Sequence, residues 1–469
     1  MENFHEEVQA PVSPHGQYFN SSVICSYVFD FLEFAVPIDY DSQAITLIRD
    51  IFLPINPRFS SIRVRDKYGK MRWQKVEVKP EEHIKIPIFP DTTSSELYDQ
   101  DLDDYVSRIL TERTPQNKPL WEIHIIKYPT KNAAGTLIFK LHHALGDGYS
   151  LMSALLSCLQ RADDPSLPLS FPSRTPQHAK ESLFKKLPSD ISSFFSSISD
   201  FGSSLIKTKI IEDDITPIRS GYEGTESQPS NLSSITLSLD TIKDIKSKLG
   251  VTINDVVCGV IFYGIRLYMQ EIDNKAKTAN STAVVMLNTR NLAGYQSLEE
   301  MQKPEAKGLW GNQISFLHIA IPKLYQSTIS NPLDFVWHSS KLIKRKRRSF
   351  SVYLMGMLLD LEMKLRGPEI AAKTIYNTIG NASILVSNIV GPMEELALAN
   401  YPISGLYFAV TGGPENVSIT VMSYVKMLTI TMRTLKGFID EQKLKYCMEK
   451  AIEVIFKEAM EISERTSQN

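Results

Sequence analysis

The stretch Thr136–Leu159, TLIFKLHHALGDGYSLMSALLSCL, decides how the rest of the chain is read. Its first six residues are apolar and β-prone apart from Lys140, the composition of a mostly buried strand. After Gly148, the positions Leu151, Met152, Leu155, Leu156 and Leu159 fall on one face of a helix. Between the two lies His142-His143-Ala144-Leu145-Gly146-Asp147-Gly148, a tight polar loop with two glycines. A strand–loop–helix of this kind hands side chains to a cleft while the flanking elements hold them rigid.

The chemistry available to this loop starts with histidine. An unperturbed imidazole pKa near ~6.5 leaves a large neutral fraction at neutral pH, so the ring can take a proton. A hydroxyl is a poor nucleophile until a positioned base removes its proton as the new bond forms. The residues alone leave other readings open. Adjacent histidines also suit a surface pair or two ligands of a metal, and Asp147 suits the N-cap of the following helix.

HHALGDG fits the HHxxxDG signature of the acyl-CoA-dependent acyltransferase superfamily, which includes peptide-synthetase condensation domains. Further stretches are similar to one branch, the plant wax ester synthase/diacylglycerol acyltransferase family. These are Ser13 with Pro14–Phe19 (PHGQYF), Pro119-Leu120-Trp121-Glu122, Asn254-Asp255, Asn288-Thr289-Arg290, Gly311-Asn312 and Ser387-Asn388-Ile389-Val390-Gly391-Pro392. The resemblance runs from about Ser13 to about Glu458, with departures from the family text around Gly412–Val417. It implies an α/β, two-domain, chloramphenicol-acetyltransferase-like fold with mixed sheets and an active-site tunnel between the domains. By carry-over of the motif, His143 is the general base toward a long-chain alcohol or diacylglycerol, and acyl-CoA is the acyl donor. His142 supports the loop, Asp147 is structural, Gly148 permits the tight geometry, and Asn254 is a candidate for polarising the thioester. No metal or prosthetic group is implied, since acyl-CoA is a substrate. Residues that bind it are not assigned, and neither is an oligomeric state.

The composition agrees with a folded globular chain: 469 residues, 43% hydrophobic, 22% charged. A net charge of −2 exerts no global pull toward nucleic acid, so any anion-binding surface is local. Cys25, Cys158, Cys258 and Cys447 are scattered without a CxxC pair, which favours buried thiols over disulfides or zinc. The acidic, apolar-poor start MENFHEEVQAP shows no cleavable signal.

Outward from the loop, residues 1–161 read as an N-terminal acyltransferase domain, 162–232 as a crossover segment and 233–469 as a C-terminal domain. Helices are expected over Ser42–Ile51, ended by Pro54–Pro57, and over Leu97–Arg113. Strands are expected over Phe59–Arg65 and Trp121–Lys127, with Pro119-Leu120-Trp121 as a packing element. In the crossover, Phe184–Ile211 suits either a packed helix or one on a membrane surface, and Ser189–Lys207 with its two aspartates falls short of a span. Thr252-Ile253-Asn254-Asp255 has the form of a capping box before the helix Val256–Met269. Ala283–Leu287 reads as a buried strand running into Arg290. An arginine there is costly unless paired, which suggests an ion pair with Asp147. Lys341–Arg348, KLIKRKRR, suits a solvated helix face or attraction to coenzyme A phosphates or an anionic bilayer. It has no interleaved aromatics that would point to nucleic acid. Val352–Leu361 is apolar but short, and suits an interfacial helix. Ser383–Ser387 reads as a strand with a turn from Asn388 to Pro392.

The expected activity is therefore O-acyl transfer from acyl-CoA to a long-chain alcohol or diacylglycerol. The expected setting is the endoplasmic reticulum membrane, with the plasma membrane as a second location and the catalytic loop facing the cytosol. The alternatives are an acyltransferase acting on a soluble hydroxyl or amine, and an inactive lipid-binding protein.

Overall fold

The computed structural model describes residues 8–39, 41–90, 95–169, 212–288, 310–325, 331–348 and 351–467. The first part contains β1 (Val8–Pro11), α1 (Pro14–Tyr18), β2 (Tyr27–Phe34), α2 (Asp41–Leu47), β3 (Ser61–Arg65), β4 (Met71–Lys75) and β5 (Ile84–Lys85). It continues through α3 (Ser95–Ile109), β6 (Trp121–Ile126), β7 (Gly135–His142), α4 (Gly148–Ser157) and β8 (Gln160–Arg161). The second part opens with β9 (Ser230–Ser238), α5 (Leu239–Leu249), α6 (Ile253–Ile272), β10 (Thr282–Asn288) and β11 (Ile314–Ala320). Helices α7 (Asp334–Arg348), α8 (Ser351–Arg366) and α9 (Pro368–Gly380) come next. The chain then runs through β12 (Ile384–Val390), β13 (Leu396–Leu398), β14 (Tyr401–Thr411), β15 (Val417–Tyr424), β16 (Met427–Leu435) and α10 (Glu441–Ser467).

Two mixed sheets organise these elements. The first has the order β5-β6-β7-β2-β14-β13-β8 and the second β11-β10-β12-β15-β16-β9, with β1-β4-β3 as a small third sheet. Strand β7 is buried along its whole length because both faces are covered. Leu137, Phe139 and Leu141 join the α4 side of the core, while Ile138 joins Tyr27, Phe29 and Phe31 on the other. Lys140 also lies on that second face, and its Nζ sits 3.2 Å from Oε2 of Glu122, the residue directly opposite on β6. A buried ammonium survives only with such a partner.

In the second sheet the alternation separates two cores. Val285 and Leu317 face the large cluster built on α6, α7 and α10, whereas Val284 and Phe316 face α8, α9 and the Tyr18–Phe19 segment. Helix α6 opens with the expected capping box: Thr252 Oγ1 accepts the Asp255 N–H, and Asp255 Oδ2 accepts the Thr252 N–H.

Several expectations need correction. Residues 233–469 are not a self-contained unit, because β13 and β14 cross back and pair into the first sheet, β14 running antiparallel to β2. Asn388–Val390 continue β12 instead of turning, since the ladder with β15 persists to Val390↔Ser423. The helical run begun by α2 ends within Pro54–Pro57 as expected, at extended Asn56 just before Pro57. The chain passes through a wide π-type turn, Ile48–Phe52, and Pro54 is accommodated early in the short Leu53–Ile55 helix. Phe59 and Ser60 belong to a 3₁₀ turn, so the strand begins at Ser61.

Trp121 is the packing element anticipated: fully buried, its Nε1–H donates to the Phe59 carbonyl at 2.8 Å. All four cysteines are free and buried. Phe184–Ile211, Ser189–Lys207 and Arg290 lie outside the described residues. Among the described residues no single helix is long and apolar enough to cross a membrane. The bent pair α5–α6 passes by composition, and α6 is buried in the core.

Candidate active site

The loop after β7 sits where the two sheets meet, and its two histidines face different surroundings. His142 ends the strand on the Tyr27 face. Its Nδ1 accepts the Ala144 N–H at 3.0 Å, its ring meets Tyr27 edge-on, and Nε2 lies 3.6 Å from Cys25 Sγ. Burial, reinforced by Arg63, His143, Arg113 and Lys140, holds its pKa well below the usual histidine value, so it is a neutral structural group. The next residue turns to the other side. His143 stacks on Phe19 with ring centroids 4.2 Å apart, and its Nδ1 lies 2.7 Å from Asn312 Oδ1. The two rings thus serve separate networks and do not form a shared metal chelate.

Asn312 determines which His143 nitrogen is basic. Its Nδ2 donates to the His143 carbonyl at 2.9 Å, which leaves Oδ1 facing the ring. A carbonyl oxygen can only accept, so Nδ1 carries the hydrogen and Nε2 holds the lone pair. Asn312 therefore orients the imidazole and selects its tautomer from 169 positions away in sequence.

The rest of the loop is held by contacts from distant segments. Asp147 is the N-cap of α4: Oδ1 accepts the Ser150 N–H at 3.0 Å, and Oδ2 accepts the Gln313 N–H at 2.8 Å. Ser150 Oγ bonds both the carbonyl and the N–H of Gly311. Arg58 Nη1 and Trp310 Nε1 both donate to the Leu145 carbonyl. The PHGQYF segment lies beneath the loop, where a Cβ on Gly16 would come within 3.1 Å of the Ala144 carbonyl. Gly148 lies close to β12: a Cβ there would reach 2.9 Å from Ile389 Cδ1, the far end of a side chain that can shift. Its backbone does not need a left-handed φ, since it is not among the positive-φ glycines.

In front of His143 lies a narrow cleft walled by Phe19, Ile24, Met286, Phe316, Ile379 and Leu385, with Ser26, Thr411 and Glu415 on its polar side. Its free volume is about 20 Å³, room for a water and not for an acyl chain. The departures at Gly412–Val417 fall here. A Cβ on Gly412 (φ +86°) would overlap the Cys25 carbonyl, and Glu415 is paired with buried Arg433 at 2.8 Å. Burial raises the Glu415 pKa against the pull of Arg433.

Of the residues expected from sequence, the structure brings His143, His142, Asp147 and Gly148 together. Asn254 does not line the cleft. Its Oδ1 accepts from Asn388 Nδ2 at 3.0 Å, pairing two family-motif asparagines beside Ile389. The suggested Asp147–Arg290 pair involves a residue outside the described ones, and β10 leaves the core before it, with Asn288 exposed. Asn312, Phe19 and Trp310 also belong to the site, and the sequence assigns none of them a role there. Asn312 and Phe19 stood in quoted motifs, but nothing in their local spacing connects them to a histidine.

Comparison with known proteins agrees with this arrangement. Residues 53–257 match the wax ester synthase/diacylglycerol acyltransferase catalytic domain, and residues 310–456 match the WS/DGAT C-terminal domain. Wax ester synthase/diacylglycerol acyltransferase 4 of Arabidopsis thaliana is 27% identical over 454 residues, covering 91% of this chain and 86% of its relative. Number 11 of the same series and organism is 28% identical over 445 residues, covering 90% of each. Among solved structures, the wax ester synthase/diacylglycerol acyltransferase from Marinobacter aquaeolei VT8 has a TM-score of 0.60 at 15% identity, over 96% of this chain and 100% of that one. A starter condensation domain of rhizomide synthetase, in complex with C8-CoA and Leu-SNAC, has a TM-score of 0.55 at 10% identity, over 95% and 92%. These structural likenesses establish the fold, and the two domain models, in order and spanning most of the chain, establish the lineage. The chain belongs to the wax ester synthase/diacylglycerol acyltransferase family.

Proposed function

We propose that the chain transfers a fatty acyl group from acyl-CoA to the hydroxyl of a long-chain alcohol or diacylglycerol, with His143 as the general base. The observation that carries this reading is the 2.7 Å contact between Asn312 Oδ1 and His143 Nδ1, which leaves Nε2 as the proton-accepting atom beside an apolar cleft. Nε2 takes the hydroxyl proton as the oxygen attacks the thioester carbonyl carbon. The tetrahedral oxyanion then collapses, the carbon–sulfur bond breaks, and the departing thiolate recovers the proton from the imidazolium. The products are an ester and free coenzyme A, with no redox change. The apolar walls suit alkyl chains and exclude competing water.

The same reading sets the enzyme at a membrane surface, on the cytosolic face of the endoplasmic reticulum, where both substrates partition. The test is incorporation of labelled acyl-CoA by membranes carrying the protein, supplied in parallel with hexadecanol and with diacylglycerol, with His143→Ala beside each. Ester formed with either acceptor and lost in the variant supports the proposal. Activity that survives the substitution overturns the mechanism. Turnover confined to a soluble hydroxyl or amine overturns the lipid acceptor, and absence of any acyl-CoA turnover favours a binding protein.

A further inference from the structure

We propose that helix α8 is the element by which this protein docks on an anionic bilayer, which lays the lipid against the outer wall of the His143 cleft. The inference rests on the lipid-acceptor reading above for its purpose and on separate observations for its location. On α8, Met357, Leu361 and Leu365 are 64%, 51% and 75% exposed. They recur at four-residue spacing, so they form one stripe along the helix surface. Exposed leucines scattered singly need no account, but three aligned on one helix face leave apolar area that only a partner covers.

The opposite face of α8 explains why the helix stays in place. Leu359 is buried, Met363 packs beside it, and Glu362 Oε2 accepts the Thr374 hydroxyl of α9 at 2.6 Å. Leu359 belongs to the apolar cluster that contains Phe19, Phe316, Ile379 and Leu385, four of the residues walling the cleft. Helix α8 is therefore packed onto that cluster with apolar side chains on its outer face as well. A lipid surface on the outer face lies one helix thickness, about 10 Å, from the cluster.

Charge selects a bilayer over another apolar partner. Lys364 and Arg366 are exposed on α8 itself, and Lys341 and Lys344 are exposed on α7, the helix that leads directly into α8. Half-exposed Trp337 on α7 adds an aromatic ring of the kind that settles at headgroup depth. An apolar stripe edged by basic residues is the signature of a helix lying in the interface of an anionic membrane.

The experiment is cosedimentation of the full-length protein with phosphatidylcholine vesicles, with and without about 30 mol% phosphatidylserine. It compares wild type, the stripe variant Leu361→Ser/Leu365→Ser, and the charge variant Lys341→Gln/Lys344→Gln. Circular dichroism and thermal melts confirm that each folds. The expected result is binding that strengthens with phosphatidylserine, falls at least about tenfold in the stripe variant, and loses part of its salt dependence in the charge variant. Folded stripe variant that binds like wild type overturns the inference, as does wild type that ignores the vesicles. Light scattering showing a dimer that the stripe variant dissolves also overturns it, because a second copy would then cover the stripe. Vesicle binding is read without turnover. Its failure leaves acyl transfer untouched, and a chain that binds vesicles but forms no ester fails only the proposed function.

Discussion

His142 and His143 are adjacent in sequence and lie in opposite environments. His142 is sealed on the polar side of the first sheet, where burial, helped by Arg63, His143, Arg113 and Lys140, keeps it neutral and its Nδ1 accepts a backbone N–H. His143 stacks on Phe19 and is oriented by Asn312 at the mouth of an apolar cleft. The two faces of the sheet beneath them differ in the same way. Around Tyr27, buried polar groups are paired: Lys140 with Glu122, His124 with the Tyr105 hydroxyl at 2.7 Å, Tyr27 with Thr114. On the other face Asp30 stands opposite Phe139, and neither oxygen has a hydrogen-bond partner among the described residues. Residue type therefore does not define role here; the set of partners does.

The largest effect expected from this contrast is on turnover. His143→Ala should lower kcat by about 10²–10⁴-fold with either lipid acceptor while the thermal midpoint changes little. A fall in stability without that loss would place His143 in the same class as His142.

Asp30 sharpens the contrast between the two faces. Burial pushes its pKa up to about 7, so the folded state holds a proton that the unfolded chain releases near the ordinary carboxylate range. Between about pH 4 and pH 7 the folded state binds more protons, so stability contributed at this site declines as pH rises and levels off above pH 7. Asp30→Asn should remove that slope and stabilise the protein at neutral pH, on the order of 3–4 kcal/mol at most. Denaturant melts across that range decide it, and an Asn variant no more stable than wild type at pH 8 would show that the carboxylate has a partner.

Asn312→Ala tests the orienting role. Turnover should fall about 10–100-fold with acyl-CoA KM nearly unchanged, because the tautomer and ring angle are lost while the base remains. A compensating change in KM alone would assign Asn312 to substrate binding.

The smallest effect is expected at the other imidazole. His142→Gln should cost about 1–2 kcal/mol of stability through the lost bond to the Ala144 N–H, with a modest fall in kcat. Its depressed pKa means that the unfolded chain binds the extra proton. Stability from this site is present above about pH 6.5 and is lost as pH falls below it, opposite in sign to Asp30. The Gln variant should flatten that acid limb in thermal melts, and an unchanged limb would transfer the proton uptake to another buried group.

Much of the fold was legible because its signals are local. The buried strand, the tight loop and the amphipathic helix of residues 136–159 follow from spacings of two to four residues, and so do the Asp147 N-cap and the Thr252 capping box. The resemblance marked His143 over His142. Less visible were the short pieces whose fate depends on a neighbour, such as Asn388–Val390, held extended by pairing with β15.

By itself, then, the sequence determined the elements, the capping of its helices and the HHxxxDG loop, because side-chain periodicity and hydrogen bonding to nearby backbone act within one turn or one strand. Only the tertiary structure decided that β14 crosses to the first sheet and that Asn312 reaches His143. It also decided that α8 turns Met357, Leu361 and Leu365 outward. Those outcomes rest on contacts between residues far apart in sequence. Their energy comes from shape and partner matching across packed elements, and no local spacing records it.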